Sequence, residues 1–587
     1  MSFAGIFSFQ YDSPLQADRL KKAFQQAYGD KTRVYSRKNL FFIYEDKEQY
    51  RCYVGKDFLF FGHAYQKSNF LVADRFEIER QVSGSGLYDN IWGHFINIFL
   101  SGVNVKISID STGATELFYT RLPNGDMLFA TDLSLMLIVA NQSQALNHNY
   151  LLNWLIQDAQ NGTVFIGIHK IATGCELVFD ASRHRITIGW NPRNFINTNR
   201  YLEIDFAELL TNVLRTWCKP YQNVFLGLSG GLDSNAILNC LLEDGVLNKD
   251  TDLVAINYYN KTHKASNEVE HAKKSCARKR VKLQVHDLDS FSYFEKIKKL
   301  DYKLNKPHYN LIFWNHQEDL YRLSGIDANS LYIKGYGGDH VFMQRPAIDS
   351  VVDAFLKEDL FKALRSIKQL CAINRENIFH IFKENAKSLF RRMVSGSAIQ
   401  TYAAIPTWLN VDASAIDKNI LWHPALHGLK EMPGKARQVN DIYLSLSSLA
   451  PRFSFDKEAP FNVFLTQPVI EWALSVPSYE LYGEEIDRYP VRKSIRSKFG
   501  SDSIWRQEKS TNAGSLLEGI NKNFKHVHET FLNGFYVRNG YVNPESLALD
   551  LSLIASGDLE NLWSVCQLYC GEIFLSQWND FTQGKSY

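Results

Sequence analysis

The sequence contains little cysteine, and none of its eight cysteines belongs to a Cys-x-x-Cys pair. Scattered thiols of this kind fit a reducing compartment better than a disulfide framework. Long apolar runs are also missing, because the most apolar stretches, 91–103 and 133–140, are shorter than the ~20 residues that a membrane span needs. Charged residues interrupt the first apolar stretches, so we expect no signal peptide. These absences predict a cytoplasmic protein without a membrane partner.

Neither sign of charge dominates, since 65 Lys and Arg face 63 Asp and Glu. A nucleic-acid-binding protein usually shows a strong basic excess, so we expect no nucleic-acid partner. Hydrophobic residues make up 45% of the chain and charged residues 22%, which is typical of a folded protein. Binding must therefore depend on local sites.

Two patterns divide the 587 residues. The first 200 or so contain many short β-type runs, which predict stacked sheets. From Ile204 onwards Leu209, Leu210, Val213 and Leu214 have helical spacing. Between 224 and 334 strands alternate with amphipathic helices, the pattern of a parallel sheet with helical crossovers. We therefore predict a two-domain α/β and α+β protein, with domains at 1–198 and 199–587.

The clearest motif is Ser229-Gly230-Gly231-Leu232-Asp233-Ser234, which follows the apolar run 224–228 and opens a helix. Paired glycines allow a tight turn, and a helix N-terminus offers free N–H groups to phosphate oxygens. The hydroxyls of Ser229 and Ser234 add donors. Asp233 beside phosphate indicates a bridging Mg²⁺, which prefers carboxylate and phosphate oxygens. The bland alternative is a β-turn capped by Ser and Asp.

This motif resembles the pyrophosphate loop of the N-type ATP pyrophosphatases. That class includes asparagine synthetase, β-lactam synthetase and the lasso peptide macrolactam cyclases. The resemblance implies an adenine nucleotide α-hydrolase-like parallel sheet with a helical extension, and ATP cleaved between the α and β phosphates. It also implies nucleotide contacts at Leu228, Ile256 and Gly335. Segment 331–340 resembles the second family motif, in which Asp339 would share the metal with Asp233.

Further family segments follow in order at 460–477, 492–496 and 503–509. The resemblance makes Lys509 the candidate cation at the reaction centre, although its spacing from Arg506 is one residue longer than in asparagine synthetases. Arg492 or Lys493 would hold the α-phosphate or pyrophosphate. The ordinary alternative for these residues is that they are exposed helix cations.

The first domain resembles class II glutamine amidotransferases, which have an Ntn-type αββα sandwich, at 93–95, 110–113, 128–132 and 163–174. Matching Gly5-Ile6 to that family places Ala4 where the nucleophilic cysteine should be. A methyl group cannot attack an amide, so we expect no glutaminase activity. The attacking amine would then be free ammonia or an amine of the substrate.

Tyr336 stands where asparagine synthetases carry a Glu and β-lactam synthetases a Tyr. The resemblance implies that this Tyr takes a proton from the attacking nitrogen, with Glu376 as a candidate acidic partner. Alternatively, Tyr336 only lines the pocket. His423 and His427 are expected to be packing or solvated histidines, because no third metal ligand accompanies them.

An extra helical stretch, containing 422–424 and 432–438, looks like the insertion of lasso peptide cyclases. We therefore expect an enzyme that adenylates an Asp or Glu side chain of a short precursor peptide with MgATP. The peptide's own α-amine would then close a macrolactam. The resemblance implies a cysteine-protease partner that removes the leader. Alternatives are a β-lactam synthetase-like enzyme, an ammonia-dependent asparagine synthetase and a non-catalytic peptide-binding protein.

Overall fold

A computed structural model of the chain describes most of its length. The described residues are 2–9, 14–37, 39–47, 50–83, 86–101, 104–140, 145–157, 161–262, 268–289, 291–297, 303–395, 405–410, 423–426, 429, 432–449, 459–506 and 512–578.

The N-terminal part contains fourteen described strands and five described helices. The strands are β1 (Phe3–Phe7), β2 (Thr32–Arg37), β3 (Leu40–Glu45), β4 (Arg51–Val54), β5 (Phe58–Gly62), β6 (Tyr65–Gln66), β7 (Ile91–Trp92), β8 (Phe95–Ser101), β9 (Asn104–Ile109), β10 (Phe118–Arg121), β11 (Met127–Ala130), β12 (His169–Lys170), β13 (Cys175–Phe179) and β14 (His184–Ile188). The helices are α1 (Pro14–Tyr28), α2 (Arg75–Ser83), α3 (Leu87–Asn90), α4 (Leu133–Ala140) and α5 (His148–Gln157).

Two six-stranded antiparallel sheets form this part, in the orders β12-β10-β11-β1-β3-β2 and β14-β13-β9-β8-β5-β4. Strand β1 shows how its sequence builds the layers, because successive side chains point to opposite faces. Phe3 and Phe7 enter the core between the sheets. Ala4 and Ile6 face the opposite way, into a core shared with α1 and α4. The predicted sandwich of helices and two stacked sheets is confirmed.

A five-stranded parallel sheet forms the centre of the C-terminal part, in the order β17-β16-β15-β18-β19. Its strands are β15 (Asn223–Gly227), β16 (Asp252–Tyr259), β17 (Lys282–Asp287), β18 (Ser330–Lys334) and β19 (Phe461–Asn462). The α/β pattern expected for 224–334 is confirmed. Central strand β15 has β16 and β18 as neighbours, so the segments that follow these strands meet at one edge of the sheet.

Helices surround and extend this sheet. They are α6 (Phe206–Cys218), α7 (Leu232–Leu241), α8 (Val269–Lys279), α9 (Trp314–Ser324), α10 (Gly338–Val341), α11 (Ser350–Leu356), α12 (Leu360–Asn374), α13 (Ile378–Ser395), α14 (Pro433–Ser447), α15 (Gln467–Ser475), α16 (Tyr489–Phe499), α17 (Ala513–Lys522), α18 (Phe524–Leu532), α19 (Phe535–Arg538), α20 (Pro544–Ala555) and α21 (Leu562–Ser576). None of the helices in the described ranges is long and apolar enough to cross a bilayer. The domain division at 198 stays a prediction; β14 ends at Ile188 and α6 begins at Phe206.

A buried carboxylate on α15 joins the two parts. Glu471, 1% exposed, accepts hydrogen bonds from the Lys67 ammonium at 2.5 Å and from the Trp190 indole N–H at 3.0 Å. Gln467, one turn earlier, donates to Glu471 at 2.7 Å and accepts from the Ser111 hydroxyl at 2.7 Å. Burial lowers the pKa of Lys67, and Glu471 opposes that effect. The two parts therefore depend on one another for a paired buried charge.

Glu471→Ala is expected to lower the stability of the chain by about 3–5 kcal/mol, because it leaves Lys67 buried without its carboxylate. The measurement is the urea midpoint followed by tryptophan fluorescence. The matched control is Glu77→Ala, which removes the partner of the exposed Arg80 and is expected to change stability by less than about 1 kcal/mol. Equal midpoints for the two variants would contradict this account of the interface.

Candidate active site

The motif 229–234 forms a turn between β15 and α7. Gly230 has φ +84°, a left-handed conformation that side-chain-bearing residues rarely adopt. A Cβ at this position would lie 2.6 Å from the Cβ of His271 on α8. The Asn235 side-chain amide donates to the carbonyls of Gly230 at 2.8 Å and Gly231 at 3.0 Å. These bonds fix the orientation of both peptide groups. Glycine is thus required at 230 by both conformation and space.

Short contacts hold the polar groups of this turn close together. The Gly231 N–H donates to the Ser229 hydroxyl oxygen at 3.3 Å, and the two hydroxyls of Ser229 and Ser234 lie 3.3 Å apart. Gly231 immediately precedes α7, so the free N–H groups of the helix lie beside these hydroxyls. The turn therefore presents the donors that an anion such as phosphate requires.

Two carboxylates approach each other at the carboxyl edge of the sheet. Asp233 opens α7 after β15, and Asp339 lies in α10 after β18. A Cβ on Gly338 would come within 2.6 Å of an Asp233 carboxylate oxygen, and one on Gly335 within 3.0 Å of the Asp233 Cβ. The glycines of the second motif thus let its backbone reach the first.

One guanidinium bridges the pair. Arg488 Nη1 donates to Asp233 at 3.0 Å and to Asp339 at 2.7 Å, while its Nε donates to Asp487 at 2.9 Å. Burial lowers the pKa of Arg488, and the three carboxylates more than offset this, so its pKa is raised. Arg488 also holds a left-handed backbone conformation, φ 52°. Such strain in a non-glycine residue is common at functional sites.

A cavity of about 1130 Å³ opens beside the turn. Gly230 and Asn235 lie on its wall. Five cationic side chains, Lys274, Arg278, Lys279, Arg375 and Arg506, line it together with only two acidic ones, Glu484 and Glu485. An excess of positive charge around this turn suits a polyphosphate ligand.

The donor set also suits Mg²⁺. Both carboxylates reach the same atom of Arg488, so a small cation between them would contact both. Among the described residues, no three or more His, Cys, Asp and Glu side chains form a metal-binding group. Mg²⁺ is usually bound by one or two protein carboxylates, and phosphate oxygens take other coordination positions. Asp233 and Asp339 match this pattern.

Comparison with known proteins decides the family. A model of the asparagine synthase family matches residues 205–568. The chain belongs to the asparagine synthase family. It is an ATP-using ligase that forms amide bonds.

The individual proteins that match the chain have low sequence identity to it. The Microcin J25-processing protein McjC of Escherichia coli is 22% identical over 449 residues, which cover 74% of this chain and 77% of that protein. A solved glutamine phosphoribosylpyrophosphate amidotransferase from B. subtilis, complexed with ADP and GMP, is 9% identical and covers 56% of this chain and 90% of its own, with a TM-score of 0.23. An allosteric regulatory enzyme of purine biosynthesis matches equally weakly, at 9% identity and a TM-score of 0.23, covering 55% of this chain and 88% of its own. These two structural likenesses are too low to carry an argument.

In this asparagine synthase family member, the predicted phosphate cation Arg492 lies close to the carboxylate pair: burial lowers its pKa, and the charges of Asp487 and Asp233 oppose this. Arg492 Nη2 donates to Asp487 at 2.7 Å, and its other nitrogens donate to backbone carbonyls of Asp487, Ile504 and Arg506. Lys493 lies 5.9 Å from the Tyr489 ring and lines a separate cavity of about 530 Å³. Sequence reasoning missed Arg488; its only signal was its position one helical turn before Arg492.

The three residues that the family resemblance predicts as nucleotide contacts lie in different surroundings. Leu228 and Ile256 are both 1% exposed, and the Leu228 N–H donates to the Ile256 carbonyl at 2.8 Å. Their side chains belong to the core, so any contact must come from backbone. Gly335 lies directly beside Asp233. Lys509, the predicted reaction-centre cation, and His427 lie outside the described residues.

Tyr336 and Glu376 are held by different neighbours. The Tyr336 hydroxyl donates to the Ser445 carbonyl at 3.5 Å, and its ring centroid lies 6.1 Å from that of His340. Glu376 precedes α13, with its carboxylate 3.5 Å from the His380 ring nitrogen. Burial raises the pKa of Asp441 on α14, and the charges of Arg437, 3.4 Å away, and of His340 oppose this. Asp441 is thus an acidic neighbour of the Tyr336–His340 pair that the sequence did not indicate; pairing of Tyr336 with Glu376 stays a prediction.

The predicted packing role of His423 is confirmed. Its ring stacks on Tyr443 with centroids 3.7 Å apart, and its Nε2 donates to the Thr173 carbonyl of the N-terminal part at 2.7 Å. Burial lowers the pKa of His423 to about 3, so it is neutral.

Gly230→Ala is expected to weaken ATP binding by about tenfold or more, since the methyl group forces His271 and the turn apart at a cost of at least about 1.4 kcal/mol. Calorimetric titration with ATP measures this. Gly245→Ala is the matched control, because Gly245 has φ +72° with nothing within 4 Å of an added Cβ. The control reproduces the backbone strain alone, so equal ATP affinities for the two variants would contradict the role given to the turn.

Proposed function

We propose that the chain is a macrolactam synthetase that joins an Asp or Glu side chain of a precursor peptide to the same peptide's N-terminal amine. The observation that carries the proposal is the convergence of the SGGLDS turn with Asp233, Asp339 and Arg488 at one edge of the parallel sheet. This arrangement suits transfer of an adenylyl group, because phosphate and its counter-charges meet there.

The proposed reaction has two steps. An oxygen of the peptide carboxylate bonds to the α-phosphorus of ATP, and the bond to the β-phosphate oxygen breaks, so pyrophosphate leaves. The α-amine of the peptide then attacks the activated carbonyl, AMP leaves with the transferred oxygen, and the amine loses a proton. Holding amine and carbonyl on one chain makes the second step unimolecular, which is worth several kcal/mol.

The named residues divide this work. Bound Mg²⁺ would neutralise charge on the leaving pyrophosphate, held by Asp233 and Asp339. Arg488, which bridges these two carboxylates here, would contact the same phosphate oxygens. Lys509 is proposed to stabilise negative charge at the reacting carbonyl, and Tyr336 to lie where the amine loses its proton.

One feature favours a peptide over a small molecule, and a second argues against glutamine as the amine source. The similar E. coli protein is named for the processing of microcin J25. Ala4, 0% exposed in β1, stands at the amidotransferase nucleophile position, so the amine comes from another source than glutamine. We further propose that a cysteine protease supplies the peptide after removing a leader.

Incubation with MgATP and a synthetic library of short peptides, each containing one Asp or Glu, tests the function. The expected products are AMP and a peptide lighter by one water, found by mass spectrometry. N-terminally acetylated peptides are the control, because they lack the amine and cannot cyclise. AMP release with aspartate and ammonia, but with no peptide, would contradict the proposal and indicate asparagine synthesis.

Asp339→Asn is expected to lower peptide-dependent AMP release by at least about 100-fold, because one metal carboxylate is lost and the metal contributes several kcal/mol. Rates at rising Mg²⁺ concentration are the measurement, and the variant should need more Mg²⁺ for half-maximal rate. Asp327→Asn, at a turn before β18, is the control and should behave as the wild type. An unchanged Mg²⁺ dependence in Asp339→Asn would contradict the metal assignment.

A further inference from the structure

Lys334 ends β18 and lies against the nucleotide-binding turn. Its Cγ is 3.6 Å from where a Cβ on Gly227 would be, at the end of β15. A Cβ added to the next residue, Gly335, would lie 3.0 Å from the Cβ of Asp233. The side chain therefore lies at the edge of the sheet where ATP is expected to bind.

Among the described residues, none forms an ion pair or hydrogen bond with the Lys334 ammonium; it lies 5.2 Å from the ring centroid of Tyr332. Lys334 is half-buried. An aromatic face compensates a cation only in part, and removing a cation from water without a counter-ion is costly. Burial lowers the pKa of Lys334 to about 8. The residue thus keeps most of its charge near neutral pH.

Among the described residues around His308, the carboxylate of Glu116 is already paired. Glu116 accepts from Lys170 at 2.7 Å and lies 3.3 Å from Lys306. His308 accepts the Asn310 N–H at Nδ1 and donates to the Ser448 carbonyl from Nε2. Burial and the positive charges of Lys306 and Lys334 together lower the pKa of His308 to about 3. Lys334 thus adds positive charge beside a cluster whose described carboxylate is already paired.

The cluster also spans the two parts of the chain. Glu116 and Lys170 belong to the N-terminal part, whereas Lys306, His308 and Lys334 belong to the C-terminal part. Lys334 is close enough to His308 for its charge, after burial and the charge of Lys306, to lower the pKa of that histidine. An acidic group bound at Lys334 would therefore lie near the contact between the two parts.

We propose that Lys334 binds the substrate carboxylate that is to be activated, which serves as its counter-ion and is held beside ATP. The inference rests on the proposed function and names a recognition residue for it. An ammonium at this position selects a carboxylate over the isosteric carboxamide, because only the charged group compensates it. The same chemistry could serve the ATP α-phosphate, so the test separates the two anions.

The test measures binding without turnover. The protein is loaded with α,β-methylene-ATP, which cannot lose pyrophosphate, and titrated calorimetrically with library peptides and with their Asn or Gln counterparts. The wild type should bind the acidic peptide about 30-fold or more tightly than the amide. Lys334→Met should abolish this preference while leaving nucleotide affinity within about twofold, and Lys334→Arg should restore part of it. Lys282→Met, at the exposed start of β17 in the same sheet, is the control and should keep the preference.

The outcomes distinguish the two claims. Loss of nucleotide affinity in Lys334→Met with an unchanged acid preference overturns the inference and assigns Lys334 to phosphate. No acid preference in the wild type overturns it as well. A preference that depends on Lys334, without AMP release from any library peptide and ATP, supports the anion site and contradicts the proposed function instead.

Discussion

The repulsion between Asp233 and Asp339 is the constraint on which the rest of the site depends. Neighbouring parallel strands lie about 4.8 Å apart, so carboxylates placed just after β15 and β18 are necessarily close. A cation must stand between them, and Arg488 does so here at 3.0 and 2.7 Å. On our proposal, Asp233 and Asp339 would hold Mg²⁺ at that place when ATP is bound, and Arg488 would then contact phosphate. The guanidinium thus neutralises the two carboxylates that we propose as metal ligands.

Domain contacts keep this edge of the sheet in a fixed relation to the N-terminal part. Helix α15 follows β19 closely and carries Gln467 and Glu471, which hydrogen-bond to Ser111, Trp190 and Lys67. The N-terminal sandwich therefore has a structural role even with a methyl group at position 4. Its Glu116 and Lys170 also meet Lys306 of the C-terminal part.

Local sequence predicted the parts of the site that local chemistry determines. A strand, two glycines, an Asp and a helix lie within about a dozen residues, so 224–238 predicted the turn and its geometry. Arg488 was not predicted, because its partners Asp233 and Asp339 lie 255 and 149 residues away in the chain. No short sequence pattern indicates a contact over that separation. Arg492 was a reasonable candidate one turn later, yet its donors serve Asp487 and backbone carbonyls. No local pattern indicates a role for Lys334, because only the fold shows which charges surround it.

The most direct measurement of the central claim is the fate of the substrate's own oxygen. A peptide whose side-chain carboxylate carries heavy oxygen is cyclised with MgATP, and the products are analysed by mass spectrometry. Adenylation predicts one heavy oxygen in AMP for every ring formed, because the carboxylate oxygen bonds to the α-phosphorus and leaves with it. Heavy oxygen in inorganic phosphate with ADP as the product, or unlabelled AMP, would contradict the account.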